Sequence, residues 1–170
     1  MFEIDDIDKS IIKLIQNKPT LTHTEIAKKV NRSQPTIGMR IRKLESSGIL
    51  KFQAGVNLKT MDLILARVEL QTLKPQEILD IVKKCPYMLN AFRLSGSSNI
   101  SILIVSNQIS SLDKIINHHF RSNPDVSSVQ LDIITDVVND FVLPFDFNFN
   151  NCGNTENGEC CGICNKFEFI

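Results

Sequence analysis

Four cysteines near the C-terminus have the type and spacing of a metal centre. Cys152 is followed by Cys160 and Cys161, and Cys164 comes after two further residues. Four thiolates are the number of protein ligands that a tetrahedral zinc ion or an iron–sulfur cluster takes. The surrounding asparagine, glycine and scattered phenylalanine give little basis for a packed element without a ligand. We therefore expect metal binding to order segment 146–170.

The cysteine spacing leaves the identity of this metal open. Zinc sites typically carry two C-x-x-C pairs, whereas this segment has one, from Cys161 to Cys164, beside the adjacent Cys160. Adjacent cysteines fit different corners of a cubane more easily than one zinc ion, which favours a 4Fe–4S cluster over zinc. Disulfides and no fixed role rank lower, disulfides because they do not persist in a reducing compartment. Cys85, alone before Pro86, is predicted to be a structural thiol.

A second chemistry is indicated by the basic residues between positions 21 and 51. This segment holds seven basic and two acidic residues, whereas the whole chain holds 19 of each. Cations gathered on a helix pair displace the counterions of a phosphate backbone. Because the excess is confined to the front of the chain, the sequence argues against a membrane-surface protein and against nucleic-acid binding over the whole surface.

Two short helical patterns separated by a polar turn must position these cations. In the first pattern Leu21, Ile26 and Val30 lie on one face, and Thr22 or Thr24 can cap the free backbone N–H groups. The second helix is predicted from about residue 34 to 47. A helix, a tight turn and a basic second helix form a helix-turn-helix motif, whose second helix lies in the major groove of duplex DNA.

The two ends of the second helix are also marked in the sequence. Ser33 can cap its start, Pro35 is tolerated in a first turn, and Gly48 can end it in a left-handed conformation. The side chains predicted to contact base edges are Ser33, Gln34, Thr36 and Arg40. Those predicted to contact phosphates are Lys28, Lys29, Arg32, Arg42 and Lys43.

The pattern changes after about residue 61. Alternating apolar residues predict strands near 66–70, 91–94, 100–105 and 129–134, and helical spacing predicts helices from residue 75 and over 112–120. This βαββαβ order is a ferredoxin-like unit with both helices on one sheet face. The strand at 100–105 is apolar on both faces, so the uncovered face is predicted to meet a second copy. Such a homodimer could place two second helices about 34 Å apart on successive major grooves.

The motifs IDDIDKSIIKLIQ, LTHTEIAKKV and RSQPTIGMRIRKLESSGILK resemble the N-terminal domain of the Lrp/AsnC (feast/famine) family of transcription regulators. The resemblance spans about residues 4–145. It implies a C-terminal module for dimerisation and effector binding, and further assembly into tetramers or octamers. The family's effector loop carries Gly-x-x-Asp, and the matching residues here are Gly96, Ser97, Ser98 and Asn99. Asn99 offers only neutral hydrogen bonds where the family's Asp offers an anion; a plain polar turn is the alternative.

These observations predict an α+β protein with four segments. We expect a helix-turn-helix, winged-helix-like domain over 1–51, a linker over 52–60, a ferredoxin-like domain over 61–145 and the cysteine-rich tail over 146–170. The sequence shows no catalytic constellation, because none of its three histidines has an evident nucleophile or metal partner. It also lacks a long apolar run, so no membrane span is expected and a cytoplasmic location is predicted.

The function predicted from these segments is sequence-specific binding of double-stranded DNA to regulate transcription, by a dimer or higher oligomer. The cysteine tail would sense redox state, oxygen or iron through a 4Fe–4S cluster. One alternative is a regulator that responds to a small-molecule effector and has a structural zinc tail. Another is an iron–sulfur electron-transfer protein.

Overall fold

Three capped helices form the first of two units in this protein. The computed structural model describes residues 3–145, and the units divide between Gln53 and Ala54. The helices of the first unit are α1 (Asp6–Asn17), α2 (His23–Val30) and α3 (Gln34–Ser46). Their N-caps are Asp5, Thr22 and Ser33.

The helix boundaries follow from local chemistry. At α2, the Thr22 N–H donates to Oε2 of Glu25 at 2.7 Å, and the Glu25 N–H donates to Oγ1 of Thr22 at 3.3 Å. Asp5 and Asp8 form the same reciprocal box at α1, with distances of 2.8 and 3.3 Å. Each box satisfies two N–H groups that a helix start leaves open. Gly48, at φ 73°, follows α3 in the predicted left-handed conformation.

The predicted apolar helix faces meet in one core. All three helices contribute to it, and Leu50 closes it after α3. Side chains of this kind gain about 1.5 to 3 kcal/mol each from full burial, so the core is what holds the short helices together. The buried residues are Ile11, Ile15, Ile26, Ala27, Ile37, Ile41, Leu44 and Leu50.

The second unit has the predicted ferredoxin-like order. Its elements are β1 (Val56–Asn57), β2 (Ile64–Thr72), α4 (Pro75–Lys84), β3 (Met88–Arg93), β4 (Ile100–Ser106), α5 (Ile109–Ile116), β5 (Val126–Ile133) and β6 (Val142–Leu143). A π-helical turn, Asn117–Arg121, continues α5. The antiparallel main sheet has the order β3-β4-β2-β5. Within the described residues, no helix is long and apolar enough to cross a membrane.

The two faces of the main sheet differ in composition. One face packs against α4 and α5 through strand residues such as Val68 and Ile102, which lie opposite each other in the register. The next pair along the strands, Arg67 and Leu103, belongs to the other face. There Arg67 Nη2 contacts Asp132 Oδ2 at 2.9 Å, while Leu103 is half-buried. Both faces of β4 therefore carry apolar side chains, as predicted, and every residue of the strand except Leu103 is buried.

The segment predicted to be a linker, 52–60, contains a short strand that pairs with a strand far along the chain. β1 pairs antiparallel with β6, Val56 opposite Leu143, and the Leu58 N–H donates to the Phe141 carbonyl at 2.8 Å. Part of segment 52–60 therefore belongs to the second unit. Two-residue strands carry no periodic signal, which is why the sequence did not indicate this pair.

Candidate nucleic-acid interface

A tight turn joins α2 to α3 and determines where α3 begins. Asn31 adopts the left-handed conformation at φ 52°, and the Arg32 N–H returns to the Ala27 carbonyl at 3.0 Å. Asparagine is one of the few non-glycine residues that accept this conformation readily. Ser33 then caps α3, its Oγ accepting from the Thr36 N–H at 3.4 Å. The turn leaves the first residues of α3 accessible to a ligand.

Four of the five predicted phosphate contacts belong to the helices α2 and α3, and the fifth is in the turn between them. Arg32 lies in the turn, where its Nη1 donates to the Asn31 carbonyl at 2.9 Å. Cations exposed on two adjacent helices are the arrangement that phosphate contacts require. All five are exposed: Lys28, Lys29, Arg32, Arg42 and Lys43.

The predicted base-contacting residues divide into two groups. Gln34 is exposed in the first turn of α3. Ser33 and Thr36 lie next to it, but their hydroxyl oxygens are 2.7 Å apart and hydrogen-bonded to each other. Because a hydroxyl both donates and accepts, each can still make a further hydrogen bond to a base edge. The fourth residue, Arg40, has a different environment.

Arg40 is bound to the start of α1. Its Nη1 contacts Oδ2 of Asp5 at 2.7 Å and Oδ1 of Asp8 at 2.8 Å, and its side chain is only 27% exposed. The hydrogen bonds that Arg40 donates to Asp8, and then to Asp5, raise the pKa of Arg40. The pKa of Asp5 is lowered, first by the backbone N–H of Asp8 and then by Arg40. The predicted base contact of Arg40 would require both ion pairs to break.

His23, the first residue of α2, lies beside Gly38 of α3. A Cβ added to Gly38 would lie 3.3 Å from His23 Nδ1 and 3.9 Å from Arg42 Nη2. The missing side chain at Gly38 therefore makes room for the first residue of α2 beside α3. Arg42 also donates from Nε to the Gly38 carbonyl at 3.2 Å. An exposed imidazole thus lies near one of the predicted phosphate ligands; a glycine inside an amphipathic helix was the available signal.

The predicted effector loop, Gly96 to Asn99, connects β3 to β4 in the second unit. Asn99 Nδ2 donates to the Thr72 carbonyl at 2.7 Å, and the Thr72 N–H donates to Asn99 Oδ1 at 3.0 Å. Both ends of the amide therefore bond to the backbone at the end of β2. A carboxylate could accept the second bond but could not make the first. Gly96 and Ser97 are exposed, and Ser98 is half-buried.

The cysteines of the predicted metal centre, Cys152, Cys160, Cys161 and Cys164, lie outside the described residues. Within residues 3–145, no three His, Cys, Asp or Glu side chains come together as metal ligands would. Cys85 is 2% exposed and belongs to the core of the second unit, as expected of a structural thiol.

Comparison with known proteins extends over both units. Residues 4–51 match a family described as winged helix-turn-helix DNA-binding, and residues 63–141 match the Lrp/AsnC ligand binding domain. The chain is 30% identical over 105 residues to the uncharacterized HTH-type transcriptional regulator PF1734 of Pyrococcus furiosus, covering 59% of this chain and 71% of that protein. It is 25% identical over 138 residues to the transcriptional regulator AzlB of Bacillus subtilis, covering 77% and 88%.

Solved structures agree with these matches. The E. coli AsnC structure superposes with a TM-score of 0.71 at 18% identity, covering 82% of this chain and 99% of that one. At this identity the likeness shows the fold alone, and it includes both the helix-turn-helix unit and the ferredoxin-like unit. The chain therefore belongs to the Lrp/AsnC family of DNA-binding transcription regulators.

Proposed function

We propose that this regulator recognises a specific duplex DNA sequence as a homodimer or higher oligomer, in the cytoplasm. The observation that supports this most directly is the set of five exposed cations on α2, α3 and their turn. In this proposal the cations contact phosphates and hold α3 in the major groove. Ser33, Gln34 and Thr36, at the start of α3, contact base edges.

The proposed dimer uses the sheet face that α4 and α5 leave uncovered. Phe92 on β3 is 48% exposed there, and the half-buried Leu103 lies on the neighbouring strand. The same face carries Arg67 in contact with both Asp132 and Glu69. Apolar side chains beside paired charges suit an interface with a polar rim. A symmetric dimer would present two α3 helices to two half-sites.

The control signal in this proposal comes from the tail. Cys152, Cys160, Cys161 and Cys164 would supply the four thiolates of a 4Fe–4S cluster. The oxidation state or loss of that cluster would report redox state, oxygen or iron to the DNA-binding unit. Family membership supports a regulator over the electron-transfer alternative, because the matched relatives are named as transcription regulators.

Salt-dependent binding tests the DNA part of the proposal. We expect Lys43→Ala to reduce the slope of log affinity against log salt by about one unit, on specific and random DNA alike, because one phosphate contact is lost. Lys83→Ala is the matched control, since Lys83 lies on α4 and pairs with Asp80 at 2.8 Å. Its slope should equal that of the wild type. An unchanged slope for Lys43→Ala would contradict the phosphate role.

Purification without oxygen tests the cluster. We expect a broad visible absorbance band and about four iron atoms per chain, both lost when Cys161 and Cys164 are replaced by serine. Cys85→Ser is the control, and the band should survive in it because Cys85 is buried in the second unit. Colourless protein with one zinc per chain would remove the cluster from the proposal and leave the DNA-binding part intact.

A small-molecule effector is the second candidate signal. It is favoured by the match of residues 63–141 to a ligand binding domain. The loop at Gly96 to Asn99 would contact such an effector through backbone groups and the Ser97 and Ser98 hydroxyls, because the Asn99 amide already bonds to Thr72. In that case a zinc-bound tail would be structural.

A further inference from the structure

Met39 lies in the middle of α3 and is 62% exposed, more than any other large apolar side chain described in the first unit. Single exposed apolar residues are common and carry no meaning by themselves. The position of Met39 on the helix is informative, because two sets of contacts fix how α3 is rotated about its own axis and therefore which way Met39 points.

The core provides the first constraint. Ile37, Ile41 and Leu44 are all buried and define the inward direction of α3. At about 100° per residue, Met39 lies about 200° from Ile37, which is opposite the core. Lys43 follows one turn later at about 40° to one side. Met39 is therefore the centre of the outward face.

Arg40 provides the second constraint. Its two contacts, 2.7 Å to Asp5 and 2.8 Å to Asp8, hold the adjacent side of α3 against the start of α1. Because Arg40 is one residue after Met39, it lies about 100° around the helix from it. The guanidinium is thus directed toward α1, and the thioether occupies the outward centre. Arg42, also exposed, lies about 60° away on the other side from Lys43.

We infer that Met39 reads a thymine methyl group in the major groove, with Arg42 and Lys43 on the flanking phosphates. The inference rests on the proposed sequence-specific binding. The C5-methyl of thymine is the apolar group that base pairs present in this groove. A thioether is a weak acceptor and no donor, so it favours that methyl over the hydrogen-bonding edges. The basic flanks match the charge of the two backbones on either side of the groove.

Selection of bound sequences from a random duplex pool by the full-length protein provides the test material. Each thymine of the selected site is then replaced by deoxyuridine, which lacks only the C5-methyl. At one position in each half-site we expect wild-type affinity to fall about fourfold, the effect of losing contact with one methyl group. Met39→Gln should bind the thymine and deoxyuridine duplexes equally, and Met39→Leu should keep the difference.

Leu73→Gln is the matched control, because Leu73 is an apolar residue of the second unit with 83% exposure. It should show the same fourfold difference as the wild type. If deoxyuridine affects the wild type and Met39→Gln equally, or if no thymine position matters, the inference about Met39 is wrong and sequence-specific binding stands. If the pool yields no enriched sequence, sequence-specific binding itself is wrong and the inference fails with it.

Discussion

Helix α3 and the loop from Gly96 to Asn99 each contain a side chain that was predicted to contact a ligand and that bonds within its own unit. Arg40 of α3 bonds to Asp5 and Asp8. Asn99 of the loop bonds through its amide to the Thr72 backbone. Both side chains have groups that could bond to a ligand. In the structure each of them bonds to residues of the same unit that are distant in the sequence.

The two regions differ in what remains available. Side chains around a helix point in different directions, so the bonding of Arg40 to α1 leaves Gln34 and Met39 exposed on other sides of α3. In the loop, by contrast, Asn99 carries the only amide, and its neighbours offer two hydroxyls and a glycine. The DNA-binding face is therefore robust to the loss of one contact, while an effector site in the loop is not.

Replacing Arg40 is the change with the largest expected effect. Arg40→Ala leaves the nearly buried carboxylate of Asp8, 6% exposed, without its cation. Removing one partner of a buried pair typically costs 3–5 kcal/mol; because the Arg40 side chain is 27% exposed, we expect about 2 to 4 kcal/mol here. Chemical denaturation followed by the helical signal of the first unit measures this loss. Arg40→Lys should recover part of it.

Arg42→Ala separates the structural role of Arg40 from a role in base recognition. Arg42 is exposed on the same helix, so its removal should weaken DNA binding and leave the free energy of unfolding nearly unchanged. If Arg40→Ala were as stable as the wild type but lost its sequence preference, Arg40 would be a base contact after all. In that case the ion pairs of Arg40 would not be structural, and α3 would not resemble the loop in this respect.

The parts of the fold that were predictable depend on neighbours in the sequence. Thr22 and Ser33 cap helices within the next three residues, and the apolar spacing of Ile37 and Ile41 indicates one helix face. The run of apolar residues that marks β4 is equally local. Signals of this range need no knowledge of the rest of the chain, so the starts of α2, α3 and α4 and the βαββαβ order of the elements could be predicted. The last helix was predicted over 112–120, whereas α5 begins at Ile109.

The missed features all join residues that are far apart in the chain. Arg40 is 35 residues from Asp5, and Asn99 is 27 from Thr72. A sequence indicates that Arg40 is cationic and that Asp5 suits a helix start, but it does not indicate that the two meet. The set of exposed cations was predictable because charge on a helix surface is local. Which arginine of that set belongs to the fold was not.

Asn99→Asp addresses the loop and should have the smaller effect. The substitution removes the donor to the Thr72 carbonyl, now 2.7 Å from Nδ2, and puts a charged oxygen there instead. Thr72 is 3% exposed, so water cannot easily replace the lost bond. We expect a loss of about 1 to 2 kcal/mol in the free energy of unfolding of the second unit. Thermal denaturation of the full chain measures it.

Ser97→Ala is the control for this substitution, because Ser97 is exposed in the same loop and should leave stability unchanged. The informative measurement is amino-acid binding by Asn99→Asp. The aspartate is the residue that the family pattern places here, and its charge could pair with an ammonium group once it is released from Thr72. If Asn99→Asp is as stable as the wild type, the amide is not a structural tie, and Asn99 itself is available to a ligand. The loop, like α3, would then keep side chains that can contact a ligand, and the two regions would no longer differ in this respect.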